Sequence, residues 1–151
     1  MIACYRKEWQ AREKNSMKKQ LVILMLPFVS TGAMAEWTSV GRTTDDSAIY
    51  ADLATIHKAG NKVVMLDLKD YQTEQGGAGA RFLSKTTLLE YDCKEELFRR
   101  LTVTLFRENM GAGRVVDSYS GAPGKWQPAQ LGSVIGALWH IACEYAAQHS
   151  D

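Results

Sequence analysis

The chain has 151 residues, of which 46% are hydrophobic, and its 18 lysines and arginines nearly balance its 17 aspartates and glutamates. A chain of this length can fold as one domain with a buried core. The near-neutral charge disfavours a nucleic-acid-binding protein, because such proteins usually carry a strongly basic face.

The beginning of the chain has the features of an export signal. Met17-Lys18-Lys19 is a basic start, residues 21–26 are apolar, and Ala33-Met34-Ala35 has small residues at alternate positions. Together they predict a signal peptide at 17–35 with cleavage after Ala35. The apolar run is too short to span a membrane, and no cysteine stands near the cleavage site to carry a lipid, so we expect no membrane anchor after cleavage.

This prediction divides the chain into three parts. Residues 1–16 are expected to be an extension from a misassigned gene start, 17–35 the signal peptide and 36–151 the exported domain. The alternative is a cytosolic extension ahead of an uncleaved membrane anchor. Without residues 1–35, 12 basic and 15 acidic residues remain, a net charge of about −3, which provides no polybasic tether to a membrane.

The exported part is dominated by strand patterns. Strands are predicted at 37–41, 48–51, 53–58, 62–71, 81–93, 97–106 and 114–119. Ala59-Gly60-Asn61 is expected to be a tight turn, since glycine and asparagine tolerate positive φ. Within 62–71, period-two alternation places Val64, Leu66 and Leu68 on one face and Asp67, Lys69 and Tyr71 on the other.

A single helix is predicted near the C-terminus. Ser133 can cap its start, and an apolar stripe at helical spacing follows: Ile135, Leu138, Trp139, Ala142 and Ala146. Cys93 and Cys143 are the two cysteines of the exported part, and an oxidising compartment favours their pairing. We therefore predict an α+β fold, an antiparallel meander of about six strands with one C-terminal helix tied on by this disulfide.

Ordered pieces of the exported part resemble the surface-adhesin protein E family of bacterial exported proteins. The pieces are Trp37-Thr38-Ser39-Val40-Gly41, Ile49-Tyr50-Ala51-Asp52, Gly60-Asn61-Lys62-Val63-Val64-Met65, Asp70-Tyr71, Glu90-Tyr91-Asp92-Cys93, Met110-Gly111-Ala112-Gly113, Trp126 with Pro128, Gly132-Ser133, and Leu138-Trp139-His140-Ile141-Ala142-Cys143. The resemblance implies an antiparallel sheet with a C-terminal helix held by the two cysteines. It also implies a non-enzymatic binding module, the family being named after a lipoprotein adhesin that holds host matrix proteins.

Catalytic, metal and cofactor sites are not expected. His140 and Cys143 share a helix face and with Cys93 would make three metal ligands, but disulfide pairing removes both thiolates. The glycines at 76–79 match no phosphate-binding motif. No G-x-S-x-G nucleophile turn or paired carboxylates stand out. We therefore predict no enzyme activity and no cofactor.

The candidate binding surface is a strand face. Leu101, Val103 and Leu105 are predicted to face the core, which would place Phe98, Arg100 and Phe106 together on the opposite face. Aromatic residues and arginine are enriched at interface hot spots, so we predict a partner-binding surface comprising Lys85, Phe98, Arg99, Arg100 and Phe106. The alternative is that helix and loops cover this face, or that it is an ordinary solvated surface.

The predicted function is adhesin-like binding of a host matrix or envelope protein through this sheet face. If this face is an interface, self-association as a homodimer is an expected use of it, because symmetric dimers are the commonest oligomers. The missing lipid-anchor cysteine favours an alternative function, a soluble periplasmic accessory or inhibitor protein without host-matrix binding. Both alternatives imply a protein that is exported, either to the periplasm or to the cell surface.

Overall fold

A computed structural model describes residues 36–77 and 79–149 of the chain. The predicted extension and signal peptide, residues 1–35, lie outside this range. Among the described residues, no helix combines the length and apolar character needed to cross a membrane.

The described residues form an antiparallel sheet of seven strands. Six follow each other as a meander in the order β1-β2-β3-β4-β5-β6, and the two-residue β7 pairs with β5. The predicted meander is therefore confirmed. The strands are β1 Trp37–Arg42, β2 Ala48–Ala59, β3 Lys62–Gln75, β4 Phe82–Asp92, β5 Leu97–Phe106, β6 Val115–Ser120 and β7 Gln127–Pro128.

The second strand is longer than the sequence pattern suggested. The two predicted strands 48–51 and 53–58 form one strand, β2, whose pairing with β3 shifts register between Asp52 and His57. At this irregularity the Asp52 carboxylate accepts a hydrogen bond from the backbone N–H of Ala54. The Thr55 hydroxyl accepts another from the N–H of Leu66 on β3. Side chains thus replace the ladder bonds that the bulge interrupts.

The single predicted helix is α1, Val134–Gln148, and it packs on strands β1 to β4. The Ser133 side chain accepts a hydrogen bond from the N–H of Gly136 and caps the first turn, as predicted. Cys143 is bonded to Cys93, which follows β4, with the two Cα atoms 5.7 Å apart. The predicted disulfide is confirmed, and it uses both thiols that the metal-site alternative required.

The core lies between α1 and one face of the sheet, which we call the helix face. Its buried side chains come from four strands, the segment after β7 and the helix: Ile49, Ala51, Val63, Met65, Leu89, Tyr91, Phe98, Ala129, Leu138, Ala142 and Ala146. We call the opposite side of the sheet the distal face.

Both faces of β3 carry buried apolar side chains, whereas its alternation predicted an apolar face on one side only. Val63 and Met65 are buried in the core and share their phase with Asp67, which is only 6% exposed. Leu68 lies on the distal face and is also buried, because a loop covers it. Apolar side chains in both phases of this strand reflect a sheet covered on both sides.

A bulge in β5 separates residues that were predicted to share a face. Leu88 pairs with Thr102 and Leu89 with Arg100, so Leu101 is an extra residue on β5. Before the bulge, Phe98 lies opposite the core residue Tyr91, whereas Phe106 after it lies opposite Ser84. Since paired residues point to the same side of a sheet, Phe98 and Phe106 lie on opposite faces, and the prediction that they share one was wrong.

Candidate functional site

A cluster of charged residues around a tryptophan lies on the distal face at one end of the sheet. Trp126 precedes β7, and its ring centre lies 4.3 Å from Lys62 Nζ and 4.5 Å from Arg99 Cζ. Each cation also has a carboxylate partner: Lys62 Nζ lies 2.8 Å from Asp92 Oδ2, and Arg99 pairs with Glu90. We call these five residues the Trp126 cluster.

The strand register builds this cluster. Lys62 pairs with Asp92, and Glu90 with Arg99, across three neighbouring strands. Opposite charges directly across a ladder stabilise each other. The hydrogen bond from Lys62 is the largest cause that holds the pKa of Asp92 below its usual range, and hydrogen bonds from the backbone N–H groups of Glu95 and Lys94 act in the same direction. The side chains of Arg99 and Lys62 remain 26% and 41% exposed. The cluster is therefore held in one geometry and is still accessible.

A loop covers another part of the distal face. The 3-10 turn Asn109–Gly111 follows β5, and the Met110 N–H donates to Asp70 Oδ1 at 2.7 Å. The Gly111 N–H donates to the hydroxyl of Ser84 at 2.9 Å. A side-chain carbon added to Gly111 would lie 3.4 Å from Leu68 Cδ1, so this turn lies directly on the sheet.

A second site lies on the helix face, beside the first turn of α1. It is a cavity of about 260 Å³ lined by apolar side chains of strands and helix, among them Leu89, Phe98 and Leu138, and by four charged residues. The charged residues are Asp67 and Lys69 on β3, Lys85 on β4 and Arg100 on β5. We call this cavity the Asp67 pocket.

Asp67 is an unusual residue for such a position. Its Oδ1 is buried and has no hydrogen-bond partner in the described part of the chain. Burial raises its pKa to about 7, although Lys85 and Arg100 act in the opposite direction. Asp67 is therefore near half-protonation at neutral pH.

The cations of the Asp67 pocket crowd each other. Lys69 and Lys85 are directly opposite on neighbouring strands, an arrangement that is destabilising for like charges. Burial first, and then repulsion by Lys69 and Arg100, lowers the pKa of Lys85, while Asp67 and Asp45 act in the opposite direction. Asp45 offsets part of this charge, since Lys69 Nζ lies 3.0 Å from its Oδ2. Among the described residues, Lys85 and Arg100 have no ion pair of this kind.

A larger cavity, of about 460 Å³, lies between the β2–β3 hairpin and the end of α1. Tyr145 and His149 line it with their rings stacked at a centroid distance of 4.0 Å. Neither buried unpartnered polar atom of the described residues, Asp67 Oδ1 or Tyr91 Oη, belongs to its lining. We therefore regard the smaller Asp67 pocket as the better ligand site.

The five residues predicted to bind a partner do not form one surface. Lys85, Phe98 and Arg100 line the Asp67 pocket, and Phe98 is a core residue that is 9% exposed. Arg99 and Phe106 lie on the distal face through their pairs with Glu90 and Ser84. The predicted single surface was wrong for two reasons: the bulge at Leu101 places Phe106 on the other face from Phe98, and Arg99, next to Arg100 on the strand, points to the opposite face in any case. That these residues bind a partner remains a prediction.

Sequence reasoning missed the residues that complete both sites. Lys62 and Trp126 are 64 positions apart in the sequence numbering, and the bonding of the segment around Trp126 to β5 brings them together. Asp67 was predicted to lie opposite the apolar face of Val64, Leu66 and Leu68, although it shares its phase with the buried Val63 and Met65. A charged residue in phase with apolar neighbours was the available signal for a buried functional group.

Comparison with known proteins agrees with this architecture. The model of the family described as surface-adhesin protein E matches residues 37–144. No curated protein sequence matches the chain significantly. Solved structures do: protein E from non-typeable Haemophilus influenzae aligns with a TM-score of 0.57 and 10% identity, covering 79% of this chain and 82% of that one.

A selenomethionine form of Haemophilus influenzae protein E aligns with a TM-score of 0.55 and 11% identity, over 74% of this chain and 88% of that one. At such low identity these structures show the shared fold alone. The family match spans most of the chain, from the first strand to the last turns of the helix. The chain therefore belongs to the surface-adhesin protein E family.

Proposed function

We propose that this chain is an exported, non-catalytic binding module that holds a host matrix or envelope protein through its distal face. The observation that carries the proposal is the Trp126 cluster, a tryptophan contacted by two cations on the side of the sheet that the helix leaves open. Tryptophan and arginine are the residues most enriched at binding hot spots. Membership of an adhesin family supports the same class of function.

The surroundings of the cluster suit an interface. Val64, Leu66 and Leu88 lie on the distal face next to it and are partly exposed. Interfaces commonly combine such an apolar centre with a polar, solvent-accessible rim. The ion pairs of Lys62 and Arg99 fix both side chains before binding, so less conformational entropy is lost when a partner docks.

The alternative function is that of a soluble periplasmic accessory or inhibitor protein. The observation that favours it is the absence of a cysteine after the apolar run of the leader, because a lipid anchor at the cleavage site would require one. A homodimer through the distal face is compatible with either function. Sedimentation of the purified protein over a concentration series would detect it.

Location distinguishes the two functions. The protein is expressed from Met17 with its own leader, and intact cells are treated with external protease. We expect removal of the protein from intact cells, while a periplasmic control protein survives. If the protein survives on intact cells and is digested only after the outer membrane is opened, the adhesin function is contradicted and the periplasmic one is favoured.

A further inference from the structure

The Asp67 pocket combines three features that the distal-face function does not explain. It has a buried carboxylate with an unpartnered oxygen, a pair of lysines placed directly opposite each other, and an apolar wall shared by sheet and helix. The first two features are costly in a purely structural site, because unpaired buried polar groups and opposed like charges both reduce stability.

We propose that the Asp67 pocket binds a small amphipathic anion, a carboxylate or phosphate carried on a short apolar chain. The anionic group would lie between Lys85 and Arg100, with Lys69 behind them. The apolar chain would lie against Leu89 and Leu138. At about 260 Å³ the cavity is slightly smaller than typical drug-binding pockets, which restricts the ligand to a small molecule.

Charge balance points to an anion. Four charged side chains line the pocket, three of them positive. Asp45 is ion-paired with Lys69 and accepts a hydrogen bond from the Thr43 hydroxyl, so it acts on Lys85 only without direct contact. The helix contributes only the apolar Val134, Ile135 and Leu138. An anion would relieve the repulsion between the two opposed lysines, which a neutral ligand would not do.

The role of Asp67 is to couple binding to pH. Its carboxylate shares the pocket with Lys69 on its own strand, Lys85 on β4 and Arg100 on β5. It also helps to raise the pKa values of the Tyr91 hydroxyl on β4 and the Tyr71 hydroxyl on β3. On the β2 side its neighbour is the apolar Ala51. An ionised Asp67 competes with the ligand for the cations and repels it. Binding should therefore be accompanied by proton uptake at Asp67 and should tighten as the pH falls through about 7.

The test uses hexanoate and hexyl phosphate as probes, titrated into the protein while the methyl signals of Leu89 and Leu138 are followed by NMR. Hexanol and hexylammonium, with the same chain, are the controls for charge. We expect both anions to bind at least tenfold more tightly than hexanol at pH 6. Hexanoate affinity should fall by up to tenfold per pH unit from pH 7 to 8, since one proton is linked to binding.

Variants assign the effect to the pocket. Lys85→Met should weaken hexanoate binding at least tenfold, and Arg100→Gln, at an exposed position, should weaken it severalfold. Lys125→Met, at an exposed lysine outside the lining, is the matched control and should change nothing. Asp67→Asn should abolish the pH dependence between pH 6 and 8.

Three results would overturn the proposal: hexanol or hexylammonium binding as tightly as hexanoate, shifts confined to signals away from Leu89 and Leu138, or unchanged binding in both Lys85→Met and Arg100→Gln. None of these results bears on the distal-face function, whose residues lie on the other side of the sheet.

Discussion

Asp67 is the residue whose placement has the clearest energetic consequence. A buried carboxylate is stable only when protonated or paired, and Asp67 Oδ1 has no partner among the described residues. Its pKa of about 7 in the fold compares with 3.8 in an unfolded chain. Between these values the folded protein binds the extra proton, so the contribution of Asp67 to stability is greatest below pH 4 and is lost as the pH rises through 7.

The variant Asp67→Asn tests this directly. The amide keeps the shape of the side chain but cannot ionise, so its stability relative to wild type should rise with pH. Three pKa units correspond to a change on the order of 4 kcal/mol between pH 4 and pH 8. Urea unfolding at unit pH steps measures this difference, with the exposed Glu95→Gln as the control. A difference that stays constant with pH would contradict a buried, titrating Asp67.

At the scale of elements, the helix is fixed to the sheet by a covalent bond and by packing. The disulfide joins residues 50 positions apart, and Trp139 Nε1 donates a hydrogen bond to the Asp92 carbonyl at 3.1 Å beside it. Leu138, Ala142 and Ala146 of the helix are buried against the strands. Of these side chains Leu138 also lines the Asp67 pocket, together with Val134 and Ile135 of the same helix, so attachment of the helix is a condition for that site.

Cys143→Ala should therefore cost stability. A closed loop of 50 residues corresponds to about 4 kcal/mol of unfolding free energy in the chain-entropy model. Urea unfolding of wild type and variant measures the loss. Reductant should lower the stability of wild type by a similar amount and leave the variant unchanged, which controls for the removal of the side chain. A loss below about 0.5 kcal/mol would show that the bond adds little.

The predictability of the elements depended on how their residues alternate. The helix followed from its apolar stripe and from Ser133, which is a local signal. The disulfide followed from the cysteine count. The strand β5 was assigned correctly in extent, but its faces were not, because two apolar residues at 97–98 and two arginines at 99–100 interrupt the alternation. That interruption of the alternation was the sequence signal that indicated the bulge at Leu101.

The two sites were harder to predict because long-range pairing creates them. Lys69 lies opposite Lys85 because of the register in which β3 pairs with β4, and Trp126 contacts Lys62 because β7 joins β5. Neither contact can be predicted from local patterns. Period-two alternation predicts which side chains of one strand share a face, but not which residue of the neighbouring strand lies opposite each of them.

At the scale of the whole molecule, the sheet separates two surfaces with different chemistry. The helix face holds a small, mostly positive pocket with a buried carboxylate. The distal face holds the Trp126 cluster, where cations and carboxylates are paired around an aromatic ring. Large partners require an accessible surface with a few strong anchors, whereas small ligands require a concave pocket. This division leads us to assign protein binding to the distal face.

The measurement that tests this assignment most directly is the affinity of face-specific variants for a protein partner. A panel of immobilised matrix proteins and purified envelope proteins is first screened with wild type. The partner is then titrated with Trp126→Ala, Arg99→Gln and, as the helix-face control, Arg100→Gln. Thermal unfolding of each variant confirms that it is folded.

We predict that Trp126→Ala and Arg99→Gln each weaken binding at least tenfold, as expected for hot-spot residues, while Arg100→Gln stays within about twofold of wild type, the range of near-neutral contacts. The opposite pattern, with Arg100→Gln weakened and the two distal-face variants unchanged, would contradict the assignment. So would a wild-type protein that captures no member of the panel.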